Sequence, residues 1–179
     1  MSNFRFQKYN SSSSSLLNYL LINLSTFRAC CYQKLHKWTE AYFDYCFAIQ
    51  MEPEAGSYYS MRGLCLGKLQ KVDMAIEDLT LACKYEAIPH NYLTRSTLHM
   101  DNGDFQSALW DCNKALEFIQ RDSKMKEDDR EELKSLASFR RAQVYHEIKM
   151  YEEEINDLIL VINNDAQSVA PHSVSRGAR

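Results

Sequence analysis

A short phrase recurs along this chain at a spacing near 34 residues, and that recurrence restricts the possible folds more than any other feature. Ala41, Ala75 and Ala108 stand 34 and 33 residues apart, and Ala48, Ala82 and Ala115 repeat the same separations. Between these alanines lie YFDYCF, IEDLTL and LWDCNK, each an apolar segment carrying one aspartate. A fourth copy, EINDLILV from Glu154 to Val161, comes 46 residues after the third, so about twelve extra residues precede it. Ahead of each copy stands a second matching segment: FRACCYQKL from Phe27, MRGLCLGKL from Met61, TRSTLHMDN from Thr94 and RRAQVYHEI from Arg140. In both kinds of segment the apolar residues return at three and four positions, the spacing of an amphipathic helix. Short turns, His36-Lys37 and Asn102-Gly103 among them, separate the two. Each unit therefore reads as helix–turn–helix.

Small residues at fixed positions have a physical cause. Antiparallel helices approach closely only where the side chains at the crossing are small. Ala29, Ala41, Ala48 and their equivalents are placed to form those crossings, with Tyr32, Trp38, Tyr45, Phe105, Tyr145 and Tyr151 filling the wider gaps. An apolar face this broad cannot be covered within one hairpin; stacking successive hairpins buries it, which makes a solenoid. Composition agrees. With 5 Gly and 3 Pro in 179 residues, the chain lacks the turn residues of an all-β fold and the glycines of phosphate-binding loops.

These placements resemble the tetratricopeptide repeat over residues 16–165. Tyr59 and Tyr92 take the opening aromatic position of that pattern. Ala29, Gly63, Ser96 and Ala142 take its glycine position, and Tyr32 and Tyr145 its tyrosine. The first three units fill both alanine positions, and Pro53 closes the first. Two departures stand out: arginine replaces the usual leucine in all four units, and Glu154 and Val161 replace the alanines of the fourth, whose second helix should pack less closely. The resemblance implies an all-α, right-handed superhelical solenoid of about four units, at about 22–55, 56–88, 89–120 and 135–165.

One column is sharper than the rest. Arg28, Arg62, Arg95 and Arg141 share a place in the first helix of each unit, and Asp44, Asp78, Asp111 and Asp157 share one in the second. The chain has only 10 Arg, so four aligned copies point to an architectural role. We expect each Arg to pair with an Asp beside the small-residue crossing, in its own unit or a neighbouring one, because the guanidinium fork matches a carboxylate better than an ammonium does.

The resemblance also implies that first helices line a concave surface. Positions facing it would be Asn23, Thr26, Cys30, Gln33 and Lys34, then Ser57, Ser60, Leu64, Gly67 and Lys68. His90, Leu93, Thr97, Met100 and Asp101 follow, then Leu136, Phe139, Gln143, His146 and Glu147. The expected occupant is a peptide or surface of a protein partner. Some repeats of this kind clamp the C-terminal carboxylate of heat-shock chaperones with convergent Lys, Asn and Arg. Here the corresponding positions hold Phe27, Met61, Thr94 and Arg140, with Asn23, Ser57, His90 and Leu136. Only Arg140 suits that role, and a carboxylate without convergent cations would be desolvated and unpaired. FRRAQVYHEIKMYEEEINDL looks like the repeat region of J-domain co-chaperones, but the His-Pro-Asp motif that those carry in a separate domain does not occur in this sequence, which could at most be a binding portion without that activity.

Outside the units, residues 1–15 end in five serines and read as a flexible tail, and 166–179 lack any apolar period. Arg5 and Lys8 before Leu16–Leu24 loosely resemble a secretory leader, but two Asn interrupt the run and no small-residue cleavage site follows. The charged segment 121–134 is expected to extend the first helix of the fourth unit and project from the body. Leu158–Ile162 forms an apolar strip with no polar cap after it, which predicts self-association or a docked partner at that end, or at Leu16–Leu24 opposite. Six cysteines without CxxC or Cys/His spacing read as free thiols of a reducing, cytoplasmic compartment. No nucleotide, metal-hydrolase or nucleophile motif is present, so neither enzymatic activity, nor a cofactor, nor a metal is expected. A formal charge of −3 gives no basic stripe for nucleic acid, and no run is long enough to cross a membrane. Three readings remain: an adaptor working through its groove, a structural subunit held by its ends, and a chaperone-associated module without a complete carboxylate clamp.

Overall fold

The computed structural model describes the backbone of residues 3–169 and the side chains of residues 16–164. Eight helices occur among the described residues: α1 (Asn3–Lys34), α2 (Trp38–Met51), α3 (Gly56–Lys68), α4 (Val72–Tyr85), α5 (Pro89–Asp101), α6 (Phe105–Arg121), α7 (Glu127–Glu147) and α8 (Tyr151–Val169). Two compact halves result, Met1–Ala87 with α1–α4 and Ile88–Arg179 with α5–α8. Each half holds two helical hairpins, and within each half the second helix of one hairpin packs on the first helix of the next, α2 on α3 and α6 on α7. Helices α1 and α8 run beyond the periodic region, into the segments 1–15 and 166–179 read as tails.

The four hairpin turns share one conformation. His36, Gln70, Gly103 and Lys149 all have positive φ, at 57°, 60°, 75° and 63°. In each turn the next N–H donates five residues back: Lys37 to the Tyr32 carbonyl, Lys71 to Leu66, Asp104 to His99 and Met150 to Tyr145, at 2.8–2.9 Å. This is the Schellman closure, which satisfies carbonyls left open at a helix C-terminus. Glycine suits the left-handed position best, yet only Gly103 supplies it. The tertiary contacts of three hairpins therefore override a local steric preference.

The crossings form where the small residues stand. Ala29, Ala41, Ala48, Ala75, Ala82, Ala108 and Ala115 are fully buried, and Ser96 and Ala142 nearly so. Gly63 is a close approach of this kind: a Cβ there would lie 3.1 Å from Leu79 Cγ and 3.2 Å from the Ala75 carbonyl oxygen. Aromatic rings fill the wider spaces, Tyr59 stacked on Tyr85 at 5.6 Å and Tyr92 on Phe118 at 5.3 Å. Tyr32 and Trp38 pack around Ala29, Ala41 and Tyr45, and Phe105 around Ala108 and Cys112. Tyr151 does not join them and is 54% exposed. Where the fourth unit has Glu154 in place of alanine, the carboxylate is half-buried and reaches His146 Nδ1 at 3.2 Å.

The charged segment before the fourth unit departs from the expected projecting arm. Residues 122–126 turn, and α7 starts at Glu127, giving it 21 residues against 13 in α3 and α5. Its first turns are tied down rather than free. Arg130 donates to the Ile119 and Asp122 carbonyls, both at 2.6 Å, and so closes the C-terminus of α6. The cause is α6 itself, which runs to 17 residues and leaves C-terminal carbonyls that need a donor.

Candidate partner-binding surface

The arginine column sits at the centre of each hairpin. Arg28 Nε and Nη2 donate to Asp44 at 2.9 and 2.6 Å, and Arg62 to Asp78 at 2.7 Å for both. Arg95 reaches Asp111 at 2.9 and 2.6 Å, and Arg141 reaches Asp157 at 2.7 Å for both. All four pairs are bidentate and lie within one unit, 16 residues apart, which settles the choice between own and neighbouring unit. The aspartates are buried in every unit, whereas the arginines range from 64% exposed at Arg28 to 11% at Arg95. Hydrogen bonding to Asp78 and Asp157 holds the Arg62 and Arg141 guanidiniums more basic than usual, against the opposing effect of burial.

A further donor of the same arginines reaches the preceding hairpin. Arg62 Nη1 lies 3.5 Å from Cys46 Sγ, and Arg141 Nη1 donates to Asn113 Oδ1 at 2.7 Å. Cys46 and Asn113 each stand two residues after the aspartate of their own unit, so the contact repeats in register. Rings flank the guanidiniums, Tyr42 and Tyr59 around Arg62 and Tyr145 beside Arg141, at 5.6–5.9 Å. The column thus bonds its own hairpin and clips it to its neighbour. No ligand role is needed to explain it.

In the N-terminal half the expected groove residues divide. Asn23, Cys30, Lys34, Ser57 and Lys68 are exposed, and Thr26 and Leu64 half-buried. Ser60 is 3% exposed and cannot present itself to a partner, which corrects its place in the groove. The Thr26 hydroxyl is turned back on its own helix, donating to the Ile22 carbonyl at 3.0 Å. Gln33 is spent on structure: its carboxamide oxygen accepts from the Tyr45 hydroxyl at 3.2 Å and its nitrogen reaches Cys65 Sγ at 3.4 Å. Burial pushes the Tyr45 hydroxyl and the Cys65 thiol above their ordinary values, so both stay protonated at neutral pH. A trough on α1 is lined by Leu20, Asn23, Leu24, Thr26, Phe27 and Cys30.

The C-terminal half gathers five of its ten expected positions into one hollow. Met100 from α5 and Phe139, Gln143, His146 and Glu147 from α7 line it, together with Ala142, Glu154 and Leu158. Met100, Phe139, Ala142 and Leu158 make an apolar floor, and Gln143, His146, Glu147 and Glu154 a polar rim with an excess of carboxylates. His90 is exposed and Thr97 half-buried, its hydroxyl donating to the Leu93 carbonyl at 3.1 Å. Leu93 is 5% exposed and belongs to the interior, a second correction. Arg140, the one cation suited to a carboxylate clamp, donates to Gln143 Oε1 at 3.2 Å, and Thr94 donates to the His90 carbonyl at 2.9 Å. Sequence reasoning missed Glu154 and Leu158 as lining residues, because both lie on a second helix and only first helices were expected to line the surface. Among the described residues no group of three His, Cys, Asp or Glu side chains could hold a metal ion, and no helix is long and apolar enough to cross a membrane.

Solved structures now decide the fold. BtubC from P. vanneervenii superimposes with a TM-score of 0.77 at 15% identity, over 90% of this chain and 70% of that one. The TPR2B domain of yeast Sti1, solved as a complex with pHsp70, gives 0.56 at 21% identity, over 66% of this chain and 97% of the domain. The Yersinia enterocolitica secretion chaperone SycD, solved with a peptide of the translocator YopD, gives 0.62 at 13% identity over 70% and 92%. This chain has the tetratricopeptide-repeat fold. No family model matches its sequence, and a comparison with curated protein sequences gives no match. At these identities the likeness extends to the backbone architecture, and the side chains of the hollow are this chain's own.

Proposed function

We propose that the chain is a non-enzymatic interaction scaffold whose C-terminal hollow receives an extended segment of a partner protein. The observation that carries this reading is the convergence of Met100, Phe139, Gln143, His146 and Glu147, five positions expected to face a groove, around one apolar floor. The floor suits an apolar side chain. The rim carboxylates favour a basic residue beside it, through charge-assisted hydrogen bonds. The yeast Sti1 and Yersinia SycD structures, each solved with a bound partner or peptide, support the use of such a surface for protein recognition. Capture of a chaperone C-terminal carboxylate is not part of the proposal, since Arg140 is committed to Gln143 and the other clamp positions hold no cation. The six cysteines are free thiols, which supports placement in a reducing compartment such as the cytoplasm.

A photo-crosslinking residue placed at Phe139 or Gln143 tests the reading, with Glu132 on the same helix as control. The expected result is one common adduct from the first two sites, absent from the control and abolished by Met100→Glu. Adducts at Ile159 but not at Phe139 would overturn it in favour of a subunit held through its terminal helices.

A further inference from the structure

Beyond the hollow, two large apolar faces are left open, and they are the two halves of an interface the chain already makes. On α1, Leu24 is 66% and Phe27 72% exposed, and Cys31 is exposed as well. On α8, Ile155 is 56%, Ile159 48% and Ile162 65% exposed. Neither set is scattered. Leu24, Phe27 and Cys31 correspond by repeat register to Tyr58, Met61 and Cys65 of α3 and to Ala137, Arg140 and Val144 of α7. Cys65, Ala137 and Val144 are fully buried, Cys65 with Met61 in a cluster that includes Tyr42 and Tyr45 of α2, and Val144 against Ala108 and Cys112 of α6.

The α8 residues complete the match from the other side. Ile155, Ile159 and Ile162 correspond to Tyr42, Cys46 and Ile49 of α2 and to Leu109, Asn113 and Leu116 of α6. Tyr42 packs into the cluster holding Cys65 and Met61, and Leu109 into the one holding Val144. Cys46 and Asn113 meet the arginine of the following helix. So α8 exposes the surface that receives a following first helix, and α1 exposes the surface that seats on a preceding second helix.

We infer that the occupant of each face is a second copy of this chain, α8 of one copy receiving α1 of the next as α2 receives α3. Continuity with the internal interface sets the geometry. Charge sets no obstacle: from Tyr9 to Phe27 the sequence carries no charged side chain, and the α8 face is three isoleucines. At Ile159 the acceptor offered by Cys46 or Asn113 is missing, so this joint relies on apolar burial and on the stem of Arg28. The two surfaces differ from each other, so the contact is heterologous, and it propagates from copy to copy until a ring closes or a filament grows.

Sedimentation velocity and light scattering of the full chain test this by complementation. Phe27→Glu removes one face and Ile159→Glu the other. The wild type should show a mass that rises with concentration beyond a dimer of the 20.9 kDa chain. Each variant alone should be monomeric, because it keeps one face and lacks its complement. An equimolar mixture should form a species of twice the monomer mass, since each variant supplies what the other has lost. Helical circular dichroism equal to wild type excludes misfolding as the cause of monomeric behaviour, and both sites are exposed. A wild type that stays monomeric up to millimolar concentration overturns the inference. So does a mixture that forms no dimer, or one variant that dimerises alone, which would mean a symmetric contact through the remaining face.

Discussion

Asp111→Ala perturbs the arginine column where burial is deepest. The Asp111 carboxylate is 1% exposed and accepts two bonds from Arg95, itself 11% exposed. Removing the acid leaves a guanidinium in the interior without its counter-charge, a change that costs about 3–5 kcal/mol. For a chain of this size about 1 kcal/mol moves Tm by roughly 2–4 °C, so a loss of about 6–20 °C is expected. Asp44→Ala breaks a pair of the same geometry but should be milder, because Arg28 is 64% exposed and hydrates once released. The reverse substitution inverts the order at that site: Arg28→Met strands a carboxylate that is 7% exposed and should cost more than Asp44→Ala. Urea and thermal unfolding followed by far-ultraviolet circular dichroism measure all three. The double variant Arg95→Met/Asp111→Ala should recover much of the loss, since replacing both partners removes the stranded charge. A loss at Asp111→Ala below about 1 kcal/mol, the value of an exposed pair, would refute the reasoning. Equal losses at Asp44 and Asp111 would refute it too.

Gln70→Gly should stabilise by about 0.5–1 kcal/mol, because a left-handed φ of 60° strains any residue with a Cβ more than glycine's added chain entropy costs; a lower urea midpoint would count against it. Asp104→Ala should cost about 1 kcal/mol, since the carboxylate caps α6 by accepting from the Ser107 N–H at 3.1 Å. Bonds from Ser107 hold the Asp104 pKa below its ordinary 3.8, so this stabilisation is complete above that pH and is lost on acidification through the lower, folded value. The wild-type and variant stabilities should therefore converge in acid, and a gap that widens there would contradict the cap. A thiol reagent at pH 8 should modify exposed Cys30 rapidly and spare Cys65 and Cys112 until the chain unfolds. Burial pushes the Cys112 thiol up to about 11, and fast labelling of that residue in the native state would contradict its placement.

Much of this fold was legible before any coordinates. Alanine and arginine columns repeated at a fixed spacing fix the helix pairs and call for an aspartate against each guanidinium, because a crossing tolerates only small residues and a buried fork needs a carboxylate; only the folded chain shows that the aspartate comes from the same unit. The turns were legible only in part, since His36, Gln70 and Lys149 adopt a backbone that their types do not advertise. The twelve extra residues before the fourth unit read as a projecting arm, yet Arg130 draws them onto the end of α6. Ser60 and Leu93 read as groove positions by register and proved to be interior.

What the linear pattern determined by itself was therefore the architecture: repeated hairpins of helix, all-α, with an ion pair at the heart of each. Periodicity suffices for that because every unit solves the same packing problem with its nearest neighbours. Tertiary structure alone decided which surfaces stay open. Exposure at a given register depends on whether another helix follows or precedes, so Cys31 and Cys65, identical in type and position, end up on the outside and in the core.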